Sequence, residues 1–306
     1  MAFGFHLGER EETLQVMSFN LRYQNHDDDL RGLGWEKRLP IVADVIRHHK
    51  PDVVGTQEGF QGQIADLKEQ LKSDLPYSSC GRPRERLLGC FPCGETCCVL
   101  SRQEIPCLAS STLALSATPS CIGSKSWGTA CPRVATYAWF GLTSRMCLLV
   151  LNTHLDHVSA EARFRGSELI VGVLDDLERD PPGDCQHLGT IITGDFNSLQ
   201  RDAYGIQRPF EVFANAGFRD ACTQSGATVP FISFHNWEAE GAAAQRCPLE
   251  LKKRGMTHAH IDWILFRGQG LKLKAFEVDL RSWPRPPSDH FPVIATFSYR
   301  ASVHHW

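Results

Sequence analysis

Apolar and polar positions along this chain switch between two periods, and the switches mark out alternating strands and helices. Leu14-Gln15-Val16-Met17-Ser18-Phe19-Asn20 alternates with period 2 and reads as a strand that stops at Asn20. Over 35–49 the positions Leu39, Val42, Val45 and Ile46 fall at helical spacing, and Pro51 ends the helix. Asp52-Val53-Val54-Gly55-Thr56-Gln57-Glu58 is a short apolar run that delivers Glu58 at its end, and a second helix follows over 60–71. The stretch 76–127 is rich in Cys, Ser, Pro and Gly and offers only short strands near 97–100 and 112–115. Residues 133–142 and 145–153 form a strand pair around Gly141-Leu142-Thr143-Ser144, and the second strand delivers His154. A helix over 159–177 takes Ser159 as its cap and Glu161 in its first turn. Thr190-Ile191-Ile192-Thr193 runs into Gly194-Asp195-Phe196-Asn197, and a short helix over 209–216 opens on Pro209. Residues 238–256 are polar, small and aperiodic, and read as a mobile surface loop close to the site. Strands over 261–266, 271–279 and 291–299 finish the chain.

Strands and helices alternate without a Gly-rich dinucleotide motif or an internal repeat, and the loops are too short for a domain linker. The expectation is one α/β domain spanning 1–306, with its core at about 14–299. A hydrophobic content of 42% and a charged content of 22% belong to a soluble globular protein. A net charge of -3 is not the footprint of a basic nucleic-acid-binding domain, although a local basic patch is compatible with it. No apolar run approaches the ~18 residues of a membrane span. Residues 1–12 carry Glu9, Arg10, Glu11 and Glu12 with no apolar core, which is no signal peptide, and no lipidation motif closes the chain. An intracellular, cytoplasmic monomer is expected.

Twelve cysteines is a high count. Cys90-x-x-Cys93 invites zinc, but a second ligand pair at a distance is missing. Cys97 and Cys98 lie in a strand-like run, where small buried thiols are at home. Buried free thiols are the expected state of the cluster.

Several apolar strands end in, or border, a polar group. On a strand, Asp195 and Asn197 point to one side and Phe196 to the other. A carboxylate beside a carboxamide suits a hard cation, an attacking water or a phosphoryl oxygen. Asn20, Glu58, His154 and the pair Asp289-His290 are delivered in the same way. Asp262 sits inside the apolar run Ile261-Asp262-Trp263, where an ionised carboxylate is expensive unless paired.

The ordered strings Ser18-Phe19-Asn20-Leu21-Arg22, Gln57-Glu58, Asn152-Thr153-His154-Leu155-Asp156, Gly194-Asp195-Phe196-Asn197, Ile261-Asp262-Trp263 and Ser288-Asp289-His290-Phe291-Pro292 resemble the endonuclease/exonuclease/phosphatase family. Each string alone is weak, and six in order are a strong signal that covers nearly the whole chain. The resemblance implies a deoxyribonuclease I-like, four-layered α/β/β/α sandwich of two face-to-face mixed sheets flanked by helices. It implies a phosphoesterase that uses Mg²⁺, with Mn²⁺ as a substitute. Glu58, Asn20 and Asp289 are then metal ligands or lie beside the metal. Asp195 orients or deprotonates the attacking water, and Asn197 holds water or phosphate. His154 donates to a phosphoryl oxygen, and Asp262 holds His290 against the phosphate.

Around this centre, Arg133 is the favoured phosphate contact and Trp237 a candidate stacking surface. Arg22 and Arg163 read better as salt-bridged, Trp263 as core, Trp127 as a second possible stacking ring, and His235 as a residue of the rim. Leu100-Ser101-Arg102 stands where several deadenylase-like and phosphatase relatives carry an aromatic-Arg pair, and 81–121 holds no tyrosine. The somewhat closer likeness to the deadenylase-like branch favours a 3′-5′ exonuclease on RNA. The alternative is a phosphatase or phosphodiesterase on a small sugar- or inositol-phosphate. A catalytically dead scaffold is disfavoured because every polar position of the strings is intact.

Overall fold

The computed structural model describes residues 9–87, 91–116, 127–202, 205–226, 232–237, 260–281 and 283–302. Two six-stranded mixed sheets face each other. The first holds β1 (Glu9–Asn20), β2 (Val53–Gln57), β3 (Tyr77–Cys80), β6 (Cys98–Arg102), β15 (Lys272–Val278) and β16 (Val293–Ser302), in the order β15-β16-β1-β2-β6-β3. The second holds β7 (Cys107–Ser116), β8 (Arg133–Gly141), β9 (Met146–His154), β10 (Gln186–Asp195), β13 (Arg219–Asp220) and β14 (Asp262–Arg267), in the order β13-β14-β10-β9-β8-β7. Two small ribbons stand apart, β4 (Pro83–Leu87) with β5 (Phe91–Thr96), and β11 (Arg201–Asp202) with β12 (Gly205–Ile206). The helices are α1 (His26–Leu30), α2 (Trp35–His49), α3 (Gln61–Leu71), α4 (Ala160–Arg179), α5 (Arg208–Asn215) and α6 (Ala221–Gln224).

The period-2 pattern builds the layers. On β1, Leu14 and Val16 join Phe140, Leu148, Val150, Ile264 and Phe297 between the sheets. Met17 and Phe19, on the opposite face, pack with Val42, Ile46, Leu67 and Leu71 of α2 and α3. On β9 the alternation repeats, with Leu149 and Leu151 turned toward Ile170 and Leu174 of α4. Full burial of such a side chain stabilises by roughly 1.5–3 kcal/mol. Ser159 caps α4 as the sequence implies, its hydroxyl oxygen accepting from the Ala162 N–H at 3.1 Å.

The main differences lie at the edges. β7 runs ten residues where only a short strand is legible, because its exposed first half is specified by pairing with β8. The ribbon β4–β5, the strand β3 and helix α1 have no apolar period to betray them. Cys147 and Cys185, outside the cluster for which free thiols are expected, form a disulfide across 38 residues of sequence. The physical reason is register: β9 and β10 pair with Gln186 opposite Met146, and that brings the two cysteines together. Cys97 and Cys98 are buried free thiols as expected. Cys90, the side chain of Cys93 and the loop 238–256 fall outside the described residues.

Candidate active site

Strand direction assembles the site. β1 and β2 pair in parallel, as do β9 and β10. Each delivers its last residues to the same end of the sandwich, as open α/β sheets commonly do. β14 and β16 run the other way, so they contribute what precedes or opens them, Asp262 and Asp289-His290. In register, Asp195 stands opposite His154 on one neighbour and Asp262 on the other.

The structure brings together the eight residues singled out for the centre. Asn20 Nδ2 donates to Glu58 Oε1 at 3.0 Å and to Asp195 Oδ2 at 3.1 Å. His290 Nδ1 lies 2.8 Å from Asp262 Oδ2, and its Nε2 lies 3.7 Å from Asp195 Oδ2. His154 Nε2 lies 3.4 Å from the same Asp195 oxygen. Asn197 Nδ2 bridges His154 Nε2 at 2.9 Å and the Leu155 carbonyl at 3.1 Å, and its own N–H donates to Asp195 Oδ1 at 2.9 Å. Asp289 meets Arg22 Nη1 at 3.5 Å.

Arg133 and Trp237 are placed differently. Arg133 is buried, 3.4 Å from Asp156 and 2.8 Å from His157 Nδ1, yet it lines the cavity above the cluster. Trp237 is not on the cavity lining, and its ring lies over the Arg38 guanidinium at 5.5 Å. Phe234 and Asn236 line the cavity instead. His235 is buried against Phe291 rather than on the rim. Trp263 stacks on Phe196 at 4.2 Å in the core, as expected.

Two amides decide which atoms face the cluster. Asn20 Oδ1 accepts from the Arg22 N–H at 2.9 Å, so the amide faces the carboxylates with its nitrogen rather than with a ligand oxygen. His154 Nε2 accepts from Asn197, whose amide orientation is fixed by the Leu155 carbonyl. The proton of a neutral His154 therefore sits on Nδ1, 3.9 Å from Glu95, and not on the nitrogen beside Asp195.

The electrostatics divide the two histidines. Burial, with the charges of Arg133 and Arg84, takes His154 well below its ordinary value and keeps it neutral. Burial would lower His290 as well, but the charges of Asp262, Asp195 and Asp289 outweigh it and hold the imidazolium up at about 10. Burial pushes the Asp195 carboxyl up to about 7, with the charge of Asp262 adding to the effect. Asp289 is also raised by burial.

The cavity over these groups measures about 680 Å³. Larger depressions of about 1030 and 750 Å³ lie elsewhere on the surface, lined by residues such as Leu108, Arg145 and Lys272, away from the carboxylate–histidine cluster. Among the described residues three arginines line the cavity, and each is held by a carboxylate: Arg22 by Asp28 at 2.9 Å, Arg84 by Glu95 at 2.8 Å and Arg133 by Asp156. Arg22, Glu58, Asn197 and Asn236, four of the seven described non-glycine residues at positive φ, line it too. Backbone held in that region concentrates where a site over-determines it.

The sequence did not mark three contributors. Arg84 and Glu95 come from the ribbon β4–β5, which lacks periodicity. Arg38 lies on α2, where an arginine reads as solvent-facing. It is instead buried and donates to the carbonyls of Leu21, Arg22, Leu33 and Pro287, which ties down the loops that carry Arg22 and Asp289. The signal available was its position, one turn before Val42 on the apolar side of the helix.

Among the described residues two groups at the cavity floor gather possible cation ligands, Glu58 with His154 and Asp195, and Asp195 with Asp262 and His290. A third, Cys131 with Asp156 and His157, lies on the wall. His290 is committed to Asp262 and protonated at neutral pH, so it has no lone pair to offer. The oxygens of half-buried Glu58 and of buried Asp195 and Asp289, gathered at one cavity floor, fit a hard divalent ion.

Residues 17–290 match the model of the endonuclease/exonuclease/phosphatase family. An endonuclease/exonuclease/phosphatase family protein of Bacteroides thetaiotaomicron is 26% identical, with a TM-score of 0.77 over 98% of this chain and 100% of its own. The mannosyl-6-phosphatase Bt3783 of the same organism is 27% identical, with a TM-score of 0.74 over 93% and 99%. The human Nocturnin catalytic domain with bound sulfate, at 18% identity and a TM-score of 0.66 over 95% and 97%, shares the fold. No curated protein matches in sequence. Ordered motifs, two facing sheets and a buried acid–histidine cluster at their common end agree with the family match: the chain belongs to the endonuclease/exonuclease/phosphatase family of phosphoric ester hydrolases.

Proposed function

We propose that this protein is a Mg²⁺-dependent phosphatase of small, hydroxyl-rich phosphoesters such as sugar phosphates, with Mn²⁺ able to substitute. The observation that carries the reading is the cavity: about 680 Å³, with the three arginines found on its lining among the described residues already balanced by carboxylates. That volume falls in the range of small-ligand sites. Polynucleotide affinity, by contrast, grows with the number of phosphates that unpaired cations neutralise. The likeness to a mannosyl-6-phosphatase at 27% identity points the same way. The 3′-exonuclease reading has no comparable support, since the Nocturnin likeness at 18% concerns the fold.

In this reading Glu58 would hold the cation, with Asp289 beside it and Asn20 as a further oxygen donor once its amide turns. The bound cation supplies charge neutralisation at the phosphoryl oxygens. Asp195 takes the proton of the attacking water, and the Asn197 N–H at 2.9 Å from Oδ1 keeps that carboxylate aimed. The His290 imidazolium, fixed by Asp262, offers Nε2–H to the phosphate. His154, neutral, fixes the Asn197 amide rather than giving up a proton itself. Arg84 and Glu95, facing the cavity, are suited to pair with substrate hydroxyls.

The test is phosphate release from hexose 6-phosphates and inositol phosphates beside nucleotide release from 3′-tailed RNA, each with Mg²⁺, Mn²⁺ and chelator. Metal-dependent release from the small esters, weakly sensitive to salt, is expected. Trimming of RNA with a steep salt dependence, and no turnover of the small esters, would replace this reading by the exonuclease.

A further inference from the structure

Among the described free cysteines, Cys97, Cys98 and Cys222 are buried, and burial raises all three thiols. Cys80 and Cys107 differ. Their sulfurs lie 3.4 Å apart, 27 residues apart in sequence. Cys107 is exposed and Cys80 half-buried, so an oxidant of small size reaches both. Their place in the fold is unusual. Cys80 ends β3, the last strand of one sheet, and Cys107 opens β7, the last strand of the other. Cys80 also packs on the apolar cluster between the sheets. The two edge strands thus meet at one side of the sandwich through this pair of thiols.

We infer that Cys80 and Cys107 are a redox modification site: they form a reversible disulfide that staples the two sheets at their shared edge and fixes the base of the ribbon β4–β5. The ribbon leaves β3 through Gly81, at φ +136°, and reaches the cavity with Arg84 and Glu95. A bond at Cys80 therefore removes freedom immediately before the segment that forms one cavity wall. The Cys107 sulfur, 3.4 Å away, lowers the Cys80 thiol, which favours Cys80 as the first sulfur to attack. With oxidised glutathione as oxidant, the Cys80 thiolate attacks one of its sulfurs and releases one glutathione thiol. Cys107, on losing its proton, attacks the Cys80 sulfur and releases the second. Two protein thiols lose two electrons and two protons, and one glutathione disulfide becomes two thiols.

The test equilibrates the full chain in reduced and oxidised glutathione mixtures, traps thiols by alkylation and maps peptides without reduction. A Cys80–Cys107 linked peptide is expected in the oxidised sample, two hydrogens lighter than its parts. Oxidised protein should melt roughly 5 °C above Cys107→Ser at the same glutathione ratio, a comparison that cancels any change at Cys147–Cys185. Backbone amides of β4 and β5 should exchange more slowly when the bond is present. Cys80 recovered alkylated, or linked to another cysteine, overturns the assignment. A Cys80–Cys107 bond that leaves both melting and exchange unchanged overturns the staple. Cys107 is exposed on an edge strand, so serine there does not threaten folding.

Discussion

The floor and the wall of the cavity are built by different means. The floor, Asn20, Glu58, His154, Asp195, Asp262 and His290, hangs from strand ends whose positions are locked by register. Directly beneath it a buried polar network ties one sheet to the other: Gln57 donates to Asn152 Oδ1 at 2.7 Å and to Ser18 at 3.2 Å, and Thr193 donates to Asn152 at 3.1 Å. Gly55 is required there, because a Cβ would fall 2.0 Å from the Thr193 hydroxyl. The wall, Arg84, Glu95, Cys131, Arg133 and His157, comes from a ribbon outside both sheets and from loop and strand-end positions. Arginine–carboxylate pairs set its side chains, on a two-stranded ribbon that pairs with neither sheet and at the opening of β8. In the proposed reading, chemistry sits where register fixes the backbone, and substrate recognition where side-chain pairs set the geometry.

The largest effect expected is at the floor. Asp195→Asn should lower kcat/KM by about 10³-fold through loss of the base. It should not lower stability. Because Asp195 titrates near 7 in the folded chain and near the ordinary carboxylate value unfolded, its ionisation works against the fold as pH rises through about 7. Metal-free Asp195→Asn at pH 8 should therefore melt at or above the wild type. A lower Tm together with lost activity would mean that Asp195 is a structural group.

Asp262→Asn comes next, at about 10²-fold in kcat/KM, with a signature in pH. The Asp262 charge raises both His290 and Asp195. Without it both lose protons more readily, so both limbs of the kcat/KM–pH profile should move toward acid. An alkaline limb that stays in place would detach His290 from the reaction.

The same division explains what the sequence makes legible. A floor residue ends a run of one period, so Asn20, Glu58, His154 and Asp195 are visible from a few neighbours on the chain. The sandwich follows from the same runs. Glu95 has no such frame, since its position depends on Arg84, eleven residues away across a ribbon with no apolar period in the sequence. Arg38 is invisible for the opposite reason: it sits on a legible helix, but its partners are carbonyls as distant as Pro287. The protonation of His154 depends on which way the Asn197 amide points, and that is set by the Leu155 carbonyl in three dimensions. Local period encodes elements and their ends, whereas pairs between distant loops need the fold.

Glu95→Gln probes the wall and should be smaller. It keeps the volume and removes the charge that pairs with Arg84 at 2.8 Å. KM for a sugar phosphate should rise by about tenfold, equivalent to ~1.4 kcal/mol, with kcat held within about twofold. A fall in kcat with unchanged KM would join Glu95 to the floor through His154 Nδ1, 3.9 Å away.

The smallest effect lies where wall and scaffold meet. The Ser159 hydroxyl caps α4 through the Ala162 N–H and at the same time donates to the Trp127 carbonyl at 2.6 Å. Ser159→Ala removes both bonds at once. Loss of the cap should cost about 1 kcal/mol, a Tm drop of roughly 2–4 °C in a chain of this size. Loss of the tether loosens the segment that leads through Thr129 and Ala130 to Arg133. Those two residues are also held by Asp156, at 2.7 and 3.0 Å, so the wall should give only slightly, with KM up about twofold and kcat unchanged. Ser159→Asp should restore the cap, and with it Tm, but a carboxylate cannot donate to the Trp127 carbonyl. The KM change should therefore persist in Ser159→Asp while Tm recovers. If both recover together, the wall takes its shape from the stability of α4, and the separation between the two regions is weaker than their architecture implies.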